Sequence, residues 1–270
     1  MSSRVEVHLL AQWLTPQQLR GGVAVVIDVL RATTTIVHAL AAGCTAVLPE
    51  REVEAARHLA RRCQPPALLG GERDGLAPEG FDLGNSPQEY TPQRCRGRQL
   101  VLTTTNGTQA IHAAASADCV LLAAFVNFSA VCERLLPETR PIHLVCAGTR
   151  GEVALEDTLL AGALVEALVQ GRSCPPRKRP VRAGHGNDAV ELNDAARLAW
   201  DCFEHHGKTL EESLRLSQGG RNLLRLGLER DIAAAAQIDR FHLVPQLASD
   251  PLRIEIGAVG ISRPRWRVVS

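Results

Sequence analysis

Three times in this chain an apolar strand runs into a short polar loop that opens a helix. The copies are VAVVIDVLRATTTIVHAL at 23–40, LVLTTTNGTQAIHAAA at 100–115 and IHLVCAGTRGEVALEDTLLAGALVEAL at 142–168. A strand followed at once by a helix favours parallel pairing, because the helix returns the chain to the starting edge of the sheet. The periodicity predicts further strands at 5–10, 45–48 and 119–123, and helices at 51–62 and 127–136. The expected fold is α/β, a three-layer α/β/α arrangement with a mainly parallel sheet and a helical C-terminal portion. That portion holds a helix over 188–206, shorter helices to 236 and two late strands at 241–244 and 253–256. The chain reads as one unit over 1–270, with a sub-division near 171–187, where GRSCPPRKRPVRAGHGN is basic and has no period.

Composition narrows the function. The formal net charge is +1 and aromatics are 3%, so neither a basic field nor a stacking series recruits nucleic acid. Eight cysteines without a C-x-x-C pair read as reduced thiols. There is no secretory signal pattern and no apolar run near the ~20 residues of a membrane span. The expectation is a soluble cytoplasmic protein that acts on a small molecule, with a homodimer as the base-rate assembly.

The polar loops carry the chemistry. In open α/β sheets ligands bind beyond the C-terminal strand ends, and helix N-termini favour anions. Asp28 interrupts VAVVI, where an ionised carboxylate is costly unless paired or metal-bound. It reads as a partner of Arg31, a helix cap, or a Mg²⁺ ligand beside a phosphate. Arg31 suits bidentate phosphate contacts, and Thr33 at the helix start suits a cap or a ligand contact. In TTTNGT, residues 103–108, Asn106-Gly107 accepts positive φ, and Thr104, Thr105 and Thr108 flank it, as in an anion nest. Glu72, Arg73, Asp82 and Asn85 decorate a glycine-rich stretch, GGERDGLAPEGFDLGNS, which the sequence leaves irregular. Glu156 and Asp157 begin the third helix, where the dipole favours them. If the loops converge, either would complete a metal site with Asp28. Cys146 is a candidate catalytic group at a strand end, although Arg150 follows it by four residues and the C-x5-R spacing is absent. No P-loop, G-x-S-x-G or Rossmann glycine pattern occurs.

Taken together, IDVLRATTTIVHAL, GGERDGLAPEGFDLGNSP, LTTTNGTQAI and VCAGTRGEVALEDTLLAG resemble the 2-phosphosulfolactate phosphatase family in order and spacing. The likeness runs from about residue 23 onward, more weakly through NDAARLAW and SQGGRNLLRLGLERDIAAAAQID. The resemblance implies a Mg²⁺-dependent phosphatase that converts (R)-2-phospho-3-sulfolactate and water to 3-sulfolactate and phosphate. In methanogens that activity serves coenzyme M biosynthesis. On this reading Asp28, Glu72 and Asp157 hold Mg²⁺, and Asp28, Arg31, Asn106 and Cys146 are the candidate catalytic groups. Thr33, Arg73, Asn85, Thr104, Thr105 and Thr108 bind the substrate, and Arg221 and Asn222 add sulfonate contacts. The other readings are a phosphatase for a different phosphorylated hydroxy acid and a non-catalytic anion-binding protein.

Overall fold

The first of the three repeated units shows how the sheet is built. All five residues of its strand, VAVVI, are buried, as a strand covered on both faces requires. The computed structural model describes residues 3–171 and 190–257. In chain order the first half comprises β1 (Ser3–His8), α1 (Pro16–Leu19), β2 (Val23–Ile27), α2 (Ala32–Ala41), β3 (Ala46–Pro49), α3 (Val53–Arg62), β4 (Leu68–Gly71), α4 (Pro92–Cys95), β5 (Gln99–Thr103) and α5 (Gly107–Ala114). The second half comprises β6 (Cys119–Ala123), α6 (Phe128–Leu135), β7 (Ile142–Cys146), α7 (Leu155–Gln170), β8 (Val190–Leu192), α8 (Asp194–His206), α9 (Leu210–Leu216), α10 (Gln218–Arg225), α11 (Glu229–Ala235), β9 (Pro245–Ser249) and β10 (Leu252–Ile256).

The ten strands form one mostly parallel sheet, in the order β4-β5-β3-β10-β9-β6-β2-β7-β1-β8. Two parallel blocks, β4-β5-β3 and β6-β2-β7-β1-β8, are joined by the antiparallel β9–β10 hairpin. Three successive antiparallel pairings reverse one block against the other. The twist over the five steps from β5 to β2, roughly 100–125° in total, turns their C-terminal ends toward each other. Gly107, just after β5, accordingly lies against Asp28, just after β2.

Alternation along β2 divides the core. Val23, Val25 and Ile27 belong to a cluster with α6, α7 and α8. Ala24 and Val26 belong to a second cluster with α2, α5 and residues of β3, β4 and β5. No helix among the described residues is long and apolar enough to cross a membrane.

The structure revises several predicted elements. Residues 241–244 are not a strand, and β9 starts at Pro245. Leu243 and Val244 are buried apolar residues, which gave the segment its strand-like pattern, and proline is tolerated as the first residue of a strand. The late strands occupy the middle of the sheet. The helix expected from 188 begins at Asp194, because Asn193 Oδ1 accepts from the Ala196 amide at 2.9 Å and caps it there. β8 precedes that cap, and β4 extends into the stretch read as irregular. The predicted sub-division near 171–187 lies outside the described residues apart from Gly171.

Candidate active site

Four loops converge on a cleft of about 290 Å³ beyond the C-terminal ends of β2, β5 and β7. Side-chain to backbone hydrogen bonds tie them together. Asp157 Oδ1 accepts from the Val29 amide at 2.8 Å, and its Oδ2 accepts from the Gly148 amide at 3.0 Å. This joins the loop after β2 to the loop after β7. Glu72 Oε1 accepts from the Thr105 amide at 2.7 Å and Oε2 from the Gly75 amide at 2.8 Å. Arg31 Nη2 donates to the Gly75 carbonyl at 2.7 Å, and the Arg150 amide donates to Asn106 Oδ1 at 3.3 Å.

Asp28 is buried, and one of its oxygens does the work of a cap. Oδ1 accepts from the Ala32 amide at 3.1 Å, in the first turn of α2. Oδ2 lies on the side facing Gly107, where a Cβ would come within 2.6 Å of it. Burial, reinforced by Glu72 and Glu156, pushes the Asp28 carboxyl up to about 7 against the lowering effects of the Ala32 amide and Arg31. Arg31 is not the partner of Asp28. Its Nη1 donates to Asp231 Oδ2 at 2.8 Å, and the Ser86 hydroxyl donates to the same oxygen at 2.7 Å.

The charge balance of this region is the property that points to chemistry. Asp28, Glu72, Glu156, Asp157 and Asp231 are all buried, and Arg31 is the one buried cation among the described residues. Burial raises Glu156 and, with added repulsion from Asp28 and Glu156, holds Asp157 well above the usual carboxylate range. Glu156 Oε2 is buried with no hydrogen-bond partner, and its side chain lies against Gly219 at the start of α10. Carboxylates packed this way call for a cation. They do not form a compact all-protein cage. Among the described residues, only Glu6, His8 and His143 bring three such donors within 4.8 Å of one another. Mg²⁺ is held by one or two carboxylates with waters and phosphate oxygens completing its shell, so a looser acidic set with an unpartnered buried oxygen fits it.

The sequence-predicted residues divide sharply. Asp28, Arg31, Glu72, Asn85, Thr104, Thr105, Asn106 and Asn222 line the cleft. Asn85 Oδ1 is buried there without a partner, while the Asn85 carbonyl accepts from the Thr35 hydroxyl at 2.8 Å. The structure does not bring the others to the wall. Thr33 Oγ1 donates to the Asp28 carbonyl at 2.8 Å, and Thr108 Oγ1 to the Thr104 carbonyl at 2.7 Å. Arg73 is spent on the carbonyls of Glu72 and Arg51 and the Thr103 hydroxyl, and Arg221 donates to the Leu216 carbonyl. Asp157 has both oxygens on backbone amides. Cys146 is fully buried in the core, where burial and the neighbouring Asp157 and Glu156 hold its thiol far above the range of a reactive thiolate. Sequence reasoning missed Asp231, Ser86, Arg150 and Arg225. Arg150 and Arg225 line the cleft, and Asp231 and Ser86 hold Arg31 from behind. Asp231 sits in the first turn of α11, where an acid has a sufficient explanation in the helix dipole, so nothing in the sequence singles it out.

Comparison with known proteins identifies the family. The chain matches the sequence model of the family described as 2-phosphosulpholactate phosphatase over residues 9–250. A probable 2-phosphosulfolactate phosphatase of Symbiobacterium thermophilum is 41% identical over 230 residues, covering 85% of this chain and 92% of the relative. Proteins of the same description from Thermotoga petrophila and Deinococcus radiodurans are each 42% identical. They cover 84% and 87% of this chain and 89% and 91% of their own lengths.

Proposed function

The chain belongs to the 2-phosphosulfolactate phosphatase family and is a phosphoric monoester hydrolase, and from that premise we propose that it hydrolyses (R)-2-phospho-3-sulfolactate to 3-sulfolactate and phosphate with Mg²⁺. The observation that supports this most is the excess of buried carboxylates beside a held arginine, at a cleft where several helices begin. A protein that only captured anions would have no use for it. Asp28 and Glu156, with Glu72 in support, would hold the ion. When bound, Mg²⁺ supplies positive charge to the phosphoryl group and orients water. The helices on the two faces of the sheet are read here as the outer layers of a three-layer fold, with the C-terminal helices closing one side of the cleft.

The remaining work falls to this chain's own side chains and backbone. Arg31, fixed by Asp231, Ser86 and Gly75, offers its remaining N–H groups to the phosphoryl oxygens as charge develops there. By its position the Gly107 amide has no acceptor within α5, so it adds a donor at a positive helix end. Thr104, Thr105, Asn85 and Asn106 orient the rest of the substrate. Arg150 and Arg225 at the rim are matched to its sulfonate and carboxylate. Water attacks phosphorus, the bond to the substrate oxygen breaks, and one of the water's protons passes to that leaving oxygen.

Phosphate release from a panel of esters, with and without Mg²⁺, tests the reading. Chelation should abolish turnover, Mg²⁺ should restore it, and phosphosulfolactate should exceed phospholactate in kcat/KM. Metal-independent release would sink the metal assignment. Faster turnover of an ester without the sulfonate would instead identify another phosphorylated hydroxy acid as substrate.

A further inference from the structure

We propose that Glu6, His8 and His143 form a second metal site, separate from the cleft, that takes a borderline-soft divalent cation of the Zn²⁺ class. Strand register places the three side chains together. Glu6 and His8 are two residues apart on β1, so they share a face, and Glu6 is the register partner of His143 on β7. His143 is the second residue of β7, whereas the cleft lies beyond that strand's C-terminal end. None of the three residues lines the cleft.

The donor spacing is that of metal ligands. His8 Nε2 and His143 Nδ1 are 3.2 Å apart, His143 Nδ1 and Glu6 Oε2 are 3.2 Å apart, and His8 Nε2 and Glu6 Oε2 are 3.7 Å apart. With metal–ligand bonds of about 2.0–2.1 Å, neighbouring ligands of a tetrahedral ion stand about 3.3 Å from each other. Hydrogen bonding serves this arrangement poorly. A proton on His143 Nδ1 would have to be shared between two acceptors. A proton on His8 Nε2 given to His143 would leave a nitrogen lone pair facing a carboxylate oxygen. One cation satisfies all three atoms.

The surroundings favour the same assignment. His143 is buried, and His8 and Glu6 are half-buried, leaving access for a water or other ligand in a fourth position. Arg4 pairs with the other oxygen of Glu6 and orients that carboxylate. The His143 ring packs on Gly22, where a Cβ would approach Cδ2 and Nε2 to 2.7 Å, so the ring has little freedom to turn away. Two imidazoles and one carboxylate select Zn²⁺, Co²⁺ or Ni²⁺ over Mg²⁺.

The test uses full-length protein stripped by a chelator and then given excess Mg²⁺ to occupy the cleft. Zn²⁺ is titrated in competition with a chromophoric chelator. One Zn²⁺ per chain is expected, with binding weakened more than roughly 100-fold in H8Q and Mg²⁺-supported phosphate release unchanged in that variant. X-ray absorption on Zn²⁺-loaded wild-type protein should show two imidazole nitrogens, which keeps the proposal falsifiable if H8Q does not fold. No stoichiometric binding, equal binding by H8Q, or an oxygen-only shell overturns it. So does loss of the Zn²⁺ in D28N, which would put the ion in the cleft.

Discussion

Arg31 is the residue on which the cleft's geometry turns. Its guanidinium is buried and donates to Asp231, Ser86 and Gly75, so its fork is fixed before any anion arrives. A lysine offers one point charge in place of that planar fork. R31K should therefore lower kcat/KM by about 10²–10³-fold, the size of effect seen when a charge-stabilising donor is lost. D231N leaves Arg31 chemically intact and removes the charge that orients it. Its kcat/KM should fall by roughly tenfold, or about 1.4 kcal/mol, while circular dichroism stays native. Steady-state phosphate release separates the two, and equal activity of D231N and wild type would deny Asp231 its positioning role. Asp28 shows a different principle, because one carboxylate serves two ends. Oδ1 caps α2, as the cap reading of the sequence expects, and Oδ2 is left toward the cleft, where the ligand role is proposed.

Among the elements, α7 and α8 pack backbone against backbone. Gly162 of α7 meets the backbone of α8, and a Cβ there would stand 1.9 Å from the Ala199 carbonyl oxygen. G162A should destabilise the protein by about 1–3 kcal/mol through forced backbone displacement. Denaturant unfolding measures this, and an unchanged midpoint would mean that the helices can separate without cost. The helix and strand types of these segments were legible in the sequence because burial follows periodicity directly. VAVVI is apolar because it is covered on both faces, and the polar loops mark strand ends for the same reason. The position of the β9–β10 hairpin was not legible, since a short strand's pattern reports its burial and not its neighbours. The division of labour at the cleft was hidden for a related reason. Thr104 and Thr108 are both threonines at one helix start, yet Thr104 lines the cleft and Thr108 is buried with its hydroxyl on the Thr104 carbonyl. Likewise Glu156 and Asp157 are adjacent acids, and only their directions on α7 decide which keeps an unpartnered oxygen.

At the scale of the whole molecule, crowded carboxylates tie stability to pH and metal. The Asp28 carboxyl ionises at about 7 in the fold, against an ordinary value of 3.8. A group raised in this way contributes its full stability below about 4 and loses it as pH rises through about 7. Metal-free protein should show a melting temperature that declines over this window. The decline should be shallower in D28N, and Mg²⁺ should recover much of the loss at neutral pH. Thermal melts at constant ionic strength with chelator or Mg²⁺ check this, and identical slopes for D28N and wild type would contradict it. The placement of the β9–β10 hairpin bears on how the protein is made. During synthesis β3 and β6 both emerge long before the hairpin that pairs with them. Until residues 245–256 leave the ribosome, the nascent chain holds two half-sheets, each with an open flank able to recruit a stranger's strand. The hairpin is thus the keystone of the sheet, and a chain that stops short of it keeps β3 and β6 as open edges, whereas the finished sheet pairs each of them on both sides.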